Sequence, residues 1–145
     1  ALDIFGEQFS ADEELVCISE NDACGVDAIQ VILGCSVGKG NLLFKIHGKQ
    51  AFSFYDRKSG KSVRFVLKPF GRLSMKERTE YLNSTNYKEL FDVKEAGPLP
   101  KKAIIFKSVR CEECGEECAE YFTRNQNGKR VCLDYFRKYT RFIVE

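Results

Sequence analysis

The alternation of apolar and polar positions changes period several times along this chain, and each change marks an element. Leu15, Val16, Cys17 and Ile18 form a short apolar run of the kind that fills a buried strand. After a polar break, Val26, Ile29, Ile32 and Leu33 recur at helical spacing. With Asp22 as N-cap and Gly34 as the stop, they predict a short helix with one face in a core. Period two then takes over. Residues 42–46, 51–55 and 63–67 are rich in aromatic and β-branched side chains, and the turn-forming stretches between them predict consecutive antiparallel strands joined by hairpins. Phe52 and Phe54 share one face while Ser53 and Tyr55 share the other, so one side of this sheet should lie on the core and the other should be less deeply buried.

Residues 69–73 break the strand pattern, and Ser74 with Glu77 three positions later is a capping box that starts a helix over about residues 75–82. A second short helix is predicted over residues 86–91. The stretch EAGPLPKK, residues 95–102, holds two of the three prolines and reads as a linker. It predicts a domain over residues 1–96 and a smaller one over residues 97–145. In the smaller one, residues 103–109 read as a strand, Asn127-Gly128 as a hairpin turn, and Leu133 onward as a helix. ALDIF at the start reads as the end of an amphipathic helix closed by Gly6, so the first domain is expected to have a further segment ahead of Ala1. The fold class is α+β.

Composition narrows the class. The 145 residues are 43% hydrophobic and 30% charged, as in soluble globular chains, and no apolar run approaches the roughly 20 residues that span a bilayer. A formal net charge of +2 is too small to argue for nucleic acid. Arg110, Arg124, Lys129, Arg130, Arg137 and Lys138 make the tail locally basic, but five nearby glutamates, at 112, 113, 116, 117 and 120, dilute that field. Seven cysteines are the anomaly. An odd count, with four of them between residues 111 and 132, suits metal ligation in a reducing, cytoplasmic compartment better than a disulfide framework.

Two stretches carry candidate chemistry. Cys24, in the first turn of the predicted helix, would point at unpaired N–H groups and the positive end of the helix dipole, which favour the thiolate. Asp27, Cys35 and Lys39 are near in sequence and could converge with it on one pocket, whereas the lone His47 sits at a turn and reads as solvent-exposed. In the tail, Cys111 and Cys114 have the spacing of a zinc knuckle, and Cys132 falls where a hairpin meets the predicted helix. Knuckle, hairpin and helix start describe a treble-clef zinc finger. A second CxxC pair would complete it, but the residue three after Cys132 is Tyr135. Asp134, beside Cys132, is the preferred fourth ligand and Cys118 the alternative.

The run DACGVDAIQVILGCSVGKGNL, the following GKQAFSFYDRKSGKSVR and the knuckle-bearing tail resemble the FmdE family of formylmethanofuran dehydrogenase components over nearly the whole chain. The resemblance implies a mixed sheet flanked by helices, reminiscent of thioredoxin, joined to a treble-clef finger. It implies an accessory or metal-dependent protein, a homodimer, and association with a larger oxidoreductase. It also implies a metal site at Cys24 shared with a His-Gly-His-x-Cys-Pro-Gly motif, and that motif is absent here. Family membership does not establish that the chain is an enzyme. A non-catalytic module that binds protein or nucleic acid is the alternative.

Overall fold

A computed structural model describes residues 2–5, 14–139 and 141. It divides into two compact units, residues 1–103 and 104–145. The first opens with α1 (Leu2–Phe5), and the expected closure of this helix at Gly6 lies outside the described residues. Then follow β1 (Leu15–Ser19), α2 (Gly25–Leu33), β2 (Leu42–Phe44), β3 (Ala51–Asp56), β4 (Ser62–Leu67), α3 (Met75–Ser84), α4 (Tyr87–Leu90) and β5 (Phe91–Lys94). The second unit holds β6 (Ser108–Arg110), β7 (Glu117–Ala119), a 3-10 turn at Glu120–Phe122, β8 (Thr123–Gln126) and β9 (Lys129–Cys132).

The five strands of the first unit lie in the order β2-β1-β3-β4-β5. This corrects the expected run of hairpins. Only β3 and β4 form one, whereas β2 crosses over through α2 and pairs parallel to β1, with Cys17 opposite Leu42. A parallel neighbour cannot be reached by a tight turn, so α2 is the connection that makes the sheet mixed. Three side chains of α2 are buried, Val26, Ile29 and Leu33, each contributing roughly 1.5–3 kcal/mol by leaving water. Ile32, expected on that face, is 55% exposed, because the buried stripe runs i, i+3, i+7. Gly34 closes the helix at φ 68°, a left-handed conformation that glycine adopts without penalty.

One sheet face carries Leu15, Cys17, Phe54, Val63 and Phe65 against α2, with Ile4, Phe5, Phe52, Tyr87 and Phe91 packed around them. The opposite face, expected to be less deeply buried, is closed along its centre. Val16, Ala51, Ser53 and Tyr55 are all buried there, so that face offers no broad surface to a second copy. A strong ion pair also joins strands of this unit: Glu20, just past β1, accepts two hydrogen bonds from Arg64 on β4, at 2.6 and 2.9 Å.

The capping box at Ser74 forms as expected and starts α3, which buries none of its side chains. The strand expected over residues 103–109 is confined to β6, and it pairs with β7 so that Val109 faces Cys118. Asn127 at φ 51° and Gly128 at φ 79° turn β8 into β9, the backbone that a two-residue hairpin with right-handed twist demands. The helix expected from Leu133 does not form among the described residues. The N–H groups of Tyr135 and Phe136 both reach back to the Cys132 carbonyl, a single turn that is not continued.

Candidate metal centre and thiol site

The second unit is organised by sulfur. Its buried cluster consists of Cys111, Val131 and Cys132, with Cys114, Cys118 and Phe136 packed against it. Cys111 leaves β6 and the chain reverses at once: the Gly115 N–H donates to the Cys111 carbonyl at 3.0 Å, and the Cys111 N–H to the Glu116 carbonyl at 2.8 Å. Gly115, at φ 79°, is where that reversal needs a residue without a side chain. The β8–β9 hairpin then brings Cys132 back, and its N–H donates to Cys111 Sγ at 3.3 Å.

The three sulfurs of Cys111, Cys114 and Cys132 all lie within 4.8 Å of one another, and those of Cys114 and Cys132 are 4.0 Å apart. Thiolates around a tetrahedral zinc at about 2.3 Å would sit about 3.8 Å from each other, so these three can close on such an ion with small side-chain adjustments. Electrostatics points the same way. Backbone N–H groups of Cys114 and then Cys132 hold the Cys111 thiol down to about 6. Cys114 receives help from the Glu116 N–H, but desolvation and the neighbouring sulfurs push it up to about 11. One anion forms readily and its neighbours resist following, the behaviour of a thiol group that a cation would discharge.

The fourth position is not filled by either residue the sequence offered. Among the described residues no carboxylate or further thiol joins the three sulfurs: Asp134 is exposed in the turn after Cys132, and the Cys118 thiol is directed at the Val109 carbonyl, 3.7 Å away. Sequence reasoning passed over Glu116, whose carboxylate accepts from Cys114 Sγ at 3.9 Å. The signal was present in the spacing Cys-x-x-Cys-x-Glu.

In the first unit the expected convergence does not occur. Cys24 and Asp27 lie at the start of α2 and are exposed, whereas Cys35 and Lys39 follow its C-terminal end. Nine helical residues separate the two ends by about 13 Å. Cys35 is fully buried with its thiol on the Leu15 carbonyl, and burial raises it to about 11, while Lys39 donates to the Gly34 carbonyl at 3.1 Å as part of the helix stop. Asp22 does not cap the helix. Asn21 performs the local turn instead, accepting from the Ala23 N–H at 3.1 Å and donating to the Lys49 carbonyl at 2.8 Å. Cys24 thereby occupies the N-cap position, with no hydrogen bond from its side chain to the helix. His47 is exposed at its turn, with Nδ1 3.5 Å from Glu20.

A family model described as "FmdE, Molybdenum formylmethanofuran dehydrogenase operon" matches residues 1–105, and the chain belongs to the FmdE family. A solved structure with a similar fold is that of an FmdE-like protein of tungsten formylmethanofuran dehydrogenase from Syntrophus aciditrophicus. It is 23% identical with a TM-score of 0.60, over 92% of this chain and 77% of that one. A curated relative from Archaeoglobus fulgidus, named a probable S-adenosyl-L-methionine-binding protein, is 30% identical over 171 aligned positions. The match takes in 94% of this chain but 45% of the relative, so the chain spans less than half of that protein's length.

Proposed function

We propose that this is a zinc-binding FmdE-family protein, an accessory or metal-dependent partner related to the FmdE component of formylmethanofuran dehydrogenase. In this reading residues 1–96 form a thioredoxin-reminiscent domain and residues 97–145 a treble-clef finger. The observation that carries it is the sulfur triad of Cys111, Cys114 and Cys132, all within 4.8 Å of one another. Three soft thiolates select zinc over hard cations, and the fourth position goes to Asp134, with Cys118 or Glu116 as substitutes or water in their place. The buried cluster of this unit is three residues, too small a core to hold it unaided, so the ion has a structural task.

Cys24 is the working thiol of the first unit in this reading, as a nucleophile or as one ligand of a second ion, with Asp27 on the same helix turn; Lys39 acts through the helix stop. Seven free cysteines favour a reducing, cytoplasmic setting, and a homodimer belongs to the same reading. Elemental analysis of the purified chain should return one zinc per chain, and Cys132→Ser should lower that count while Cys118→Ser leaves it unchanged. A chain free of bound metal, or a count unaltered by Cys132→Ser, would refute the zinc assignment.

The second reading is a non-catalytic assembly module. Ile104, Ile105, Tyr121 and Phe122 are exposed in the second unit, and Tyr121 stacks on Phe106 with ring centroids 5.0 Å apart. Apolar surface of this kind suits docking to a larger protein better than it suits nucleic acid.

A further inference from the structure

A cavity of about 300 Å³ opens in the first unit between the start of α2 and the far strands of the sheet. Its walls are rings: Phe52 and Phe54 from β3, Phe65 from β4, Tyr87 from α4 and Phe91 from β5, with Gly25 at the rim beside Cys24. Phe65 is the hub. Phe54, Tyr87 and Phe91 meet it edge to face, with centroids 6.0, 6.4 and 6.0 Å away. Rings so arranged keep faces and edges free for one more member of the same pattern.

From this geometry we infer that the cavity is a binding site for a flat, uncharged aromatic group. A cavity of about 150 Å³ walled by apolar side chains is enough to take benzene, so this one has room for a guest of one or two rings. The Tyr87 hydroxyl is the one polar side-chain group in the lining, so a polar substituent on the guest must point out through the mouth. Caged rings can instead hold a quaternary ammonium, but two features oppose that here. Gly25 is the first residue of α2, whose positive end faces the rim, and Lys88 already stands 5.9 Å from the centroid of the Tyr87 ring. The inference does not depend on the zinc reading, because no cysteine of the triad lies in this unit.

Gly25 gives the test its handle. A Cβ there would lie 3.5 Å from Phe52 Cζ, an ordinary contact, so Gly25→Ala should fold and bind. The longer side chain of Gly25→Leu would occupy the cavity. Titrating indole into the isotopically labelled chain should give saturable shifts of the ring resonances, with intermolecular Overhauser effects to Phe52 and Phe91. Both should persist in Gly25→Ala and vanish in Gly25→Leu, and stripping the protein of metal should leave them unchanged. If Gly25→Leu does not fold, the Overhauser contacts in the unaltered chain decide alone. Absent saturation, contacts to other residues, equal response in a folded Gly25→Leu protein, or tighter binding of tetramethylammonium than of indole would overturn the inference.

Discussion

Replacing Arg64 by methionine would strand the carboxylate of Glu20. The pair is bidentate, at 2.6 and 2.9 Å, and the side chains of Arg64 and Glu20 are 21% and 9% exposed. Deleting one partner of a fully buried pair costs about 3–5 kcal/mol, and the partial exposure of Arg64 together with His47 at 3.5 Å reduces that, so about 2 kcal/mol is expected at neutral pH. The pH dependence is the sharper criterion. Hydrogen bonding to Arg64 holds the Glu20 carboxyl below its ordinary range. A depressed folded-state value means stability that is present above the unfolded value, about 4.3, and lost as pH falls through the folded one. The gap between wild type and Arg64→Met should therefore be widest near neutrality and narrow below about pH 4. Urea unfolding followed by far-ultraviolet circular dichroism at both pH values measures it, and Glu20→Gln in the Arg64→Met background should recover part of the loss. A gap that stays constant with pH, or one below about 0.5 kcal/mol at neutrality, would refute the reasoning.

Native-state alkylation with iodoacetamide should label Cys24 early and leave Cys17 and Cys35 untouched until the chain unfolds, because the first is exposed and burial raises the thiols of the other two. Peptide mapping that finds all three modified at one rate would contradict the placement. Asn41→Ala should destabilise the first unit by about 2 kcal/mol, since it orphans the Ser36 N–H and the Leu15 carbonyl, and an unchanged denaturation midpoint would count against it.

What the sequence made legible is what short-range chemistry decides. The capping box of Ser74 and Glu77 and the Asn127-Gly128 turn are written within four residues, and both form. The cysteines at 111, 114 and 132 declared themselves by spacing, and folding brings their sulfurs together. Partner choice was not legible. Residues 42–44 look like any short apolar strand, and only the path of α2 decides that they lie parallel to β1 rather than against β3. The start of α2 was misplaced because Asn21 competes with Asp22, and its success depends on the Lys49 carbonyl 28 residues away. The fourth metal ligand was beyond reach for a similar reason: at Asp134, Cys118 and Glu116 the donor atom's direction depends on a strand pairing or a one-turn ending that spacing does not encode.

The β1–α2–β2 crossover is tied at both ends by side-chain amides: Asn21 bonds across to Lys49 before the helix, and the fully buried Asn41 joins Ser36 and Leu15 after it. Such a crossover is fixed in length. Each residue added to or removed from α2 would swing its side chains by about 100° and detach one of the two amides from its carbonyl. Variation in this lobe must therefore work by exchanging side chains on a helix of constant extent, which leaves the identity of residues around Cys24 and Gly25 free to change while their position is not.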